Sequence, residues 1–222
     1  MTEENRTSDD QTETTPGTLV VGTFLTLDGV MQAPGDPDED RDGGFEFGGW
    51  VVNYWNDQMQ EVLNDQFAEV DSLLLGRKTY EIFAAHWPNV DTEDDPVGTK
   101  LNSMPKHVVS RTLDAVEWNN SSLLSGDVAE AVANLKEDHE DVILVQGSQN
   151  LIQTLLADDL VDAFWIWVVP LVLGEGKRLF GDGTVPTGLE LTYADTSSTG
   201  VQLLRYERAG EIDYGSFALE EP

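Results

Sequence analysis

Three short segments, each just past an apolar run, carry the residue types best suited to holding an anion. Gly76-Arg77-Lys78-Thr79 follows Leu73-Leu74-Leu75. A helix starting there exposes unpaired backbone N–H groups and a positive dipole end, to which Thr79 adds a hydroxyl and Arg77 and Lys78 add charge. Ser110-Arg111 follows the short run His107-Val108-Val109. Gly147-Ser148-Gln149-Asn150 follows Val142 to Val145; glycine allows close backbone approach, Ser148 can cap a helix, and the amides can meet a phosphate. Singly, a glycine after a strand is usually a turn and an arginine among carboxylates usually a surface ion pair. Scarcity links the three. Of only 12 basic residues, Arg77, Lys78, Arg111, Lys177 and Arg178 sit in these junctions or in the run Gly174-Glu175-Gly176-Lys177-Arg178-Leu179. The ligand they imply is a polyanion such as a dinucleotide phosphate.

Other chemistries fail on residue type or spacing. His86, His107 and His139 lack metal-ligand spacing, and with no cysteine there is no thiolate ligand, disulfide or Cys nucleophile, so no metal is expected. Gly147-Ser148 lacks the intervening residue and second glycine of a nucleophile elbow. The Gly174 to Leu179 run lacks the last glycine of a dinucleotide fingerprint and comes late in the chain. A net charge of −30 over 222 residues excludes nucleic acid and anionic membrane surfaces as partners. No apolar stretch is long enough to span a bilayer, and the polar, acidic start is unlike a secretory signal, so a cytoplasmic protein is expected. Lysine is scarce and the acids are spread along the chain, the pattern of a surface adapted to high salt, where self-repulsion is screened.

The elements that must position these junctions follow from periodicity. Residues 1–16 read as a disordered acidic tail and 17–222 as a single domain. Leu19 to Leu27 is expected to be a strand closed by Asp28-Gly29, followed by a long loop from Ala33 to Gly49 whose Phe45, Phe47 and Trp50 fold back onto an apolar surface. Trp55, Met59, Val62, Leu63, Phe67 and Val70 recur at helical spacing. Further strands are expected at Ser72 to Leu75, His107 to Val109, Val142 to Val145 and Val161 to Val169, with helices at Arg77 to Ala85, after Asp127 and through Leu151 to Leu156. Trp165 and Trp167 share one face of their strand and read as core or interface. Leu189 to Tyr193, Val201 to Arg208 and Tyr214 to Leu219 are three terminal strand candidates. Helices alternating with strands, then strands in succession, imply an α/β fold with a mainly parallel sheet and antiparallel C-terminal strands.

Taken together, Thr26-Leu27-Asp28-Gly29, Leu74 to Glu81, Val109 to Thr112, Val145 to Ser148 and Pro170 to Phe180 resemble, in that order, the dihydrofolate reductase-like family. The nearest branch is the reductase domain of bifunctional riboflavin biosynthesis proteins and its stand-alone relatives, over roughly Leu19 to Glu207. The resemblance implies a three-layer α/β/α domain that binds NADPH and reduces a pterin-like or ribosylaminopyrimidine-like substrate. It implies that Gly76, Arg77, Lys78, Thr79, Ser110 and Arg111 hold the adenosine and its 2′-phosphate, and that Gly147, Ser148, Gln149 and Asn150 meet the pyrophosphate. Asp28 and the Pro170 to Gly176 loop, with Gly174 and Glu175, would face nicotinamide and substrate, Asp28 being the candidate catalytic residue.

The chain departs from the family pattern in two places. Ser148 stands where other branches have glycine, and no carboxylate takes the usual catalytic place, since Asp57 and Glu61 fall on the polar face of their helix. No zinc-deaminase segment is present, so a single-function reductase is expected. Beside this stands a second reading, a non-catalytic nucleotide-binding protein that retains the cofactor groove, and a third, a structural dimerising domain. A homodimer is expected from the apolar Phe164 to Val169 strand and its terminal neighbours.

Overall fold

The computed structural model describes residues 16–93, 95–138 and 142–217. The expected N-terminal tail, Pro16 apart, and His139 lie outside the described residues. In chain order the fold runs β1 (Thr18–Thr26), α1 (Asp57–Glu69), β2 (Val70–Gly76), α2 (Arg77–His86), α3 (Pro96–Ser103) and β3 (Lys106–Val109). It continues with β4 (Ser121–Leu124), α4 (Val128–Asp138), β5 (Val142–Val145), α5 (Gln149–Ala157), β6 (Ala163–Val169), β7 (Gly188–Thr196) and β8 (Gln202–Gly210). The strands form one sheet in the order β4-β3-β2-β5-β1-β6-β8-β7. From β4 to β6 all pairs are parallel, while β8 and β7 are antiparallel additions, as the order of elements in the sequence implies.

Successive strand residues face opposite sides, and in the central strands both sides are apolar, so helices must cover both. On β1, Leu19 and Val21 pack with Val132 of α4 and with Ile152 and Leu155 of α5. Val20, between them, packs on the other side with Phe67 of α1, Tyr80 of α2 and Leu101 of α3. The result is the expected three-layer α/β arrangement. Asp162, the acidic residue just before β6, accepts the Leu19 N–H at 2.7 Å and pairs with Lys136 at 2.6 Å, so it ties β1 to α4. Asn56 starts α1 by accepting the Met59 N–H at 2.9 Å, and Asp127 does the same for Glu130 at 3.1 Å.

Three expectations change. Residues 214–217 form no strand; Tyr214 and Phe217 stand exposed with no partner strand beside them. Phe45 and Trp50 are buried where the long loop folds back, but Phe47 stays 46% exposed, in edge contact with Phe45 at 5.8 Å. Helix α3 and strand β4 come without a strong periodic signal; α3 begins at Asp95, which accepts the Gly98 N–H at 3.1 Å, followed by Pro96 at the first helical position. Among the described residues no helix is long and apolar enough to cross a membrane.

The net charge of −30 makes the compact state repel itself at low ionic strength. Melting temperature is expected to rise steadily from low salt to molar KCl, where the Debye length falls to about 3 Å. Thermal melts across that range check it; a flat or falling curve would mean that the described ion pairs outweigh the global repulsion.

Candidate active site

The C-terminal ends of β3, β2, β5 and β1 open onto one cavity of about 830 Å³, the position at which open α/β sheets take ligands. Gly76, Arg77, Lys78, Thr79, Ser110, Arg111, Gly147, Ser148, Gln149 and Asn150 all line it. The sequence separates these three junctions by tens of residues, and the sheet order brings them side by side. Contact between the first and third is tight. The Gly76 N–H donates to Gly147 O at 3.1 Å, and a Cβ on Gly76 would fall 2.5 Å from Ser148 Oγ. Gly147 has φ of +127°, a conformation open to glycine, and the peptide that follows it is cis. Ser148 does not cap its own helix. Its hydroxyl instead lies 3.4 Å from both the N–H and the hydroxyl of Thr79, across the gap to α2. The Ser148 hydroxyl thus meets the third N–H of α2, while α5 has no side-chain cap, and the other first-turn N–H groups of both helices are left at the cavity.

The five candidate cations are not equivalent. Arg111 is exposed and has no ion pair or side-chain hydrogen bond among the described residues. Arg77 has one long contact, to Glu81 at 3.4 Å. Lys78 is paired with Asp42 and lies 3.4 Å from Asp40, while Lys177 lies 2.5 Å from Asp40 and 3.0 Å from Asp42. These two carboxylates come from the acidic long loop. Gln32 holds them in place: its Nε2 donates to the carbonyls of Asp40 and Asp42 at 3.0 and 3.1 Å, and its Oε1 accepts the Lys177 N–H at 3.0 Å. Hydrogen bonds from Lys78 and then Lys177 push the Asp42 carboxyl down to about 2. Asp40 is also lowered: burial opposes ionisation there, but the Lys177 hydrogen bond, the Asp42 N–H and the two lysine charges prevail. Lys78 is correspondingly raised, chiefly by Asp42.

Asp28 lies apart from these junctions. Its side chain does not line the cavity. It accepts from the Thr26 hydroxyl at 2.6 Å, from the N–H groups of Leu173 and Gly174 at 3.2 and 2.8 Å, and from Arg178 at 3.1 Å. The Thr26 hydrogen bond foremost, with the Gly174, Leu173 and Arg178 contacts, holds the carboxyl far below its ordinary range despite some desolvation. Such a group has no proton to give near neutrality. Pro170, Gly174 and Glu175 are likewise exposed and outside the cavity. The segment around them folds back on the end of β1, through Leu27 N–H to Leu171 O at 2.8 Å and Met31 N–H to Lys177 O at 2.8 Å, and only Lys177 reaches the cavity. Asp57 and Glu61 are exposed on α1, as the helical pattern implies.

The far end of the cavity is aromatic. Trp165 and Trp167 are core residues, as expected, and also wall the cavity. Trp55 stacks on Trp167 with centroids 5.7 Å apart and planes 22° apart, and Phe24 meets both edge-on. Gly22, in the middle of β1, lets the cavity reach the sheet. Such walls suit a flat ring system.

A sequence model of the RibD C-terminal domain matches residues 17–204. The chain belongs to the RibD C-terminal domain family. Within reach of that family, the uncharacterized protein YyaP of Bacillus subtilis (strain 168) is 32% identical over 194 residues, covering 86% of this chain and 95% of its own. A candidate riboflavin biosynthesis protein from Shewanella sp. PV-4 superposes with a TM-score of 0.65 at 22% identity, over 86% of this chain and 98% of that one. Dihydrofolate reductase from Enterococcus faecalis, solved with NADP(H), gives 0.55 at 14% identity, over 87% and 98%. At these identities the two structures establish the fold, which is dihydrofolate reductase-like.

Proposed function

We propose that this RibD C-terminal domain protein is an NADPH-dependent reductase of a small heterocycle, pterin-like or ribosylaminopyrimidine-like. One observation carries the reading: a single cavity joins two helix N-termini and an arginine unpaired among the described residues to an aromatic chamber. That donor set fits a dinucleotide phosphate. The N–H groups at the starts of α2 and α5 would hold the pyrophosphate, with Thr79, Ser148, Gln149 and Asn150 beside it, and Ser110, Arg77 and Arg111 would take the 2′-phosphate. When bound, the cofactor would supply hydride to an electrophilic ring carbon. Trp55, Trp165 and Trp167 would hold the acceptor ring flat and exclude water from its faces. The electron pair displaced onto the acceptor's nitrogen or oxygen would take its proton from solvent, since each carboxylate lining the cavity among the described residues already has a partner, although burial raises the Glu39 carboxyl above its ordinary value. Glu39 accepts from Gly35 and Asp36 N–H groups, Asp40 and Asp42 hold lysines, and Asp95 caps α3.

That same engagement favours, as a second reading, a nucleotide-binding protein without catalysis. Absorbance-monitored NADPH oxidation in molar KCl, with pterins and ribosylaminopyrimidines as acceptors, separates the two. Turnover of any acceptor supports the reductase; tight NADPH binding with none supports the second reading.

A homodimer is part of the proposal. Leu189 and Leu191 on β7, with Phe180 and Ile212, stand 38–50% exposed beside a groove of about 250 Å³. Sedimentation in molar KCl is expected to give about twice 24.5 kDa, and Leu191→Asp to give the monomer. A monomeric wild type would refute it.

A further inference from the structure

Resting on the reductase reading, we propose that Gln66 selects a neutral lactam edge on the substrate. Gln66 lies on the buried stripe of α1 with Met59 and Phe67 and is only 5% exposed. A stripe position of this kind ordinarily takes an aliphatic side chain. The Gln66 carboxamide makes no hydrogen bond to any other described residue and opens onto the cavity, where its polar atoms reach solvent. An amide that stands on a buried stripe, opens onto the cavity and has no protein partner is placed to exchange solvent for a ligand's polar edge.

Two other polar side chains that line the cavity are already engaged. The Gln60 amide is occupied by the Trp55 indole N–H at 3.3 Å and by Asn64 at 3.1 Å, and the Thr23 hydroxyl is turned to the Phe24 carbonyl at 3.2 Å. A carboxamide presents a donor and an acceptor side by side. Its complement is an edge with an adjacent C=O and N–H, the lactam edge of an oxopyrimidine or oxopteridine. A carboxylate in its place would offer acceptors alone and match an edge of two donors. Gln66 therefore acts by recognition and takes no part in proton transfer.

Calorimetry of the full chain in molar KCl, with and without NADPH, provides the test. The probes are lumazine, which has lactam edges, and 1,3-dimethyllumazine, whose ring N–H donors are blocked. The wild type is expected to bind lumazine at least about tenfold more tightly than the dimethyl compound, the effect of one or two buried hydrogen bonds. Gln66→Leu should erase that preference while leaving NADPH affinity unchanged and the melting temperature equal or higher. The nearly isosteric Gln66→Glu should lose it as well. Equal wild-type affinities, no lumazine binding, or a preference that survives Gln66→Leu would overturn the proposal. Loss of NADPH oxidation for every acceptor, with a Gln66-dependent lumazine preference intact, would sink the reductase reading alone.

Discussion

Replacing Arg111 by alanine is expected to weaken NADPH binding by about 10- to 100-fold while changing NADH binding by less than about threefold. Arg111 stands at the cavity, exposed and unpaired among the described residues, so its guanidinium is free to meet a phosphate without first leaving a carboxylate. A charge-assisted pair of hydrogen bonds to the 2′-phosphate accounts for the magnitude, and NADH has no group to lose. Lys78→Ala should have a smaller effect. Its charge is already balanced by Asp40 and Asp42, whose carboxyls stay ionised to well below neutrality. Cofactor titrations by tryptophan fluorescence compare the two variants. A larger loss for Lys78→Ala than for Arg111→Ala would mean that the acidic loop moves away and Lys78 carries the phosphate.

Lys106→Ala is expected to destabilise the fold by about 3–5 kcal/mol. Lys106 opens β3 and is completely buried. Its ammonium donates to the carbonyls of Met104 at 2.8 Å and Asn119 at 2.9 Å and lies 4.3 Å from the Trp118 ring centre. Alanine would leave a void and two carbonyls without a donor. Lys106→Met keeps the stem and should lose less, about 1–3 kcal/mol. The pair also has a pH signature. Desolvation pushes the Lys106 pKa down to about 8, from 10.5 in the unfolded chain. Below pH 8 the charge is buried and the burden is full; between pH 8 and 10.5 the unfolded chain binds more protons than the folded one, so folding gains with rising pH. Wild type should therefore improve relative to Lys106→Met across that window in urea melts. A gap moving the other way would contradict the assignment.

Much of the sheet is legible in the sequence because its central strands are covered on both faces, which leaves apolar runs such as Leu73 to Leu75 and Ala163 to Val169. Edge elements leave weaker marks. Strand β4 is Ser-Ser-Leu-Leu at the sheet margin, and α3 has a Gly inside it, although Asp95 and Pro96 are a readable start signal. Tyr214 to Phe217 carries aromatic residues that suit a strand, but no neighbour pairs with it.

The cofactor end of the site is legible for a local reason: each glycine or serine lies beside the cation or helix start it serves. The role of Asp28 is not, because three of its partners, Leu173, Gly174 and Arg178, are 145–150 residues away. The pairing of the acidic loop with Lys78 and Lys177 is equally long-range, and it changes which cation is free. Gln66 could have been found from its spacing, as the one polar member of a stripe shared with Met59, Leu63, Phe67 and Val70.

The most direct test of reductase activity follows deuterium placed at C4 of NADPH during turnover with an oxopteridine or aminopyrimidine acceptor in molar KCl. The expected result is one deuterium on a ring carbon of the product, detected by mass spectrometry, with loss of the label from the cofactor. NADPH held tightly with its label intact, whatever acceptor is offered, would contradict it and leave a nucleotide-binding protein.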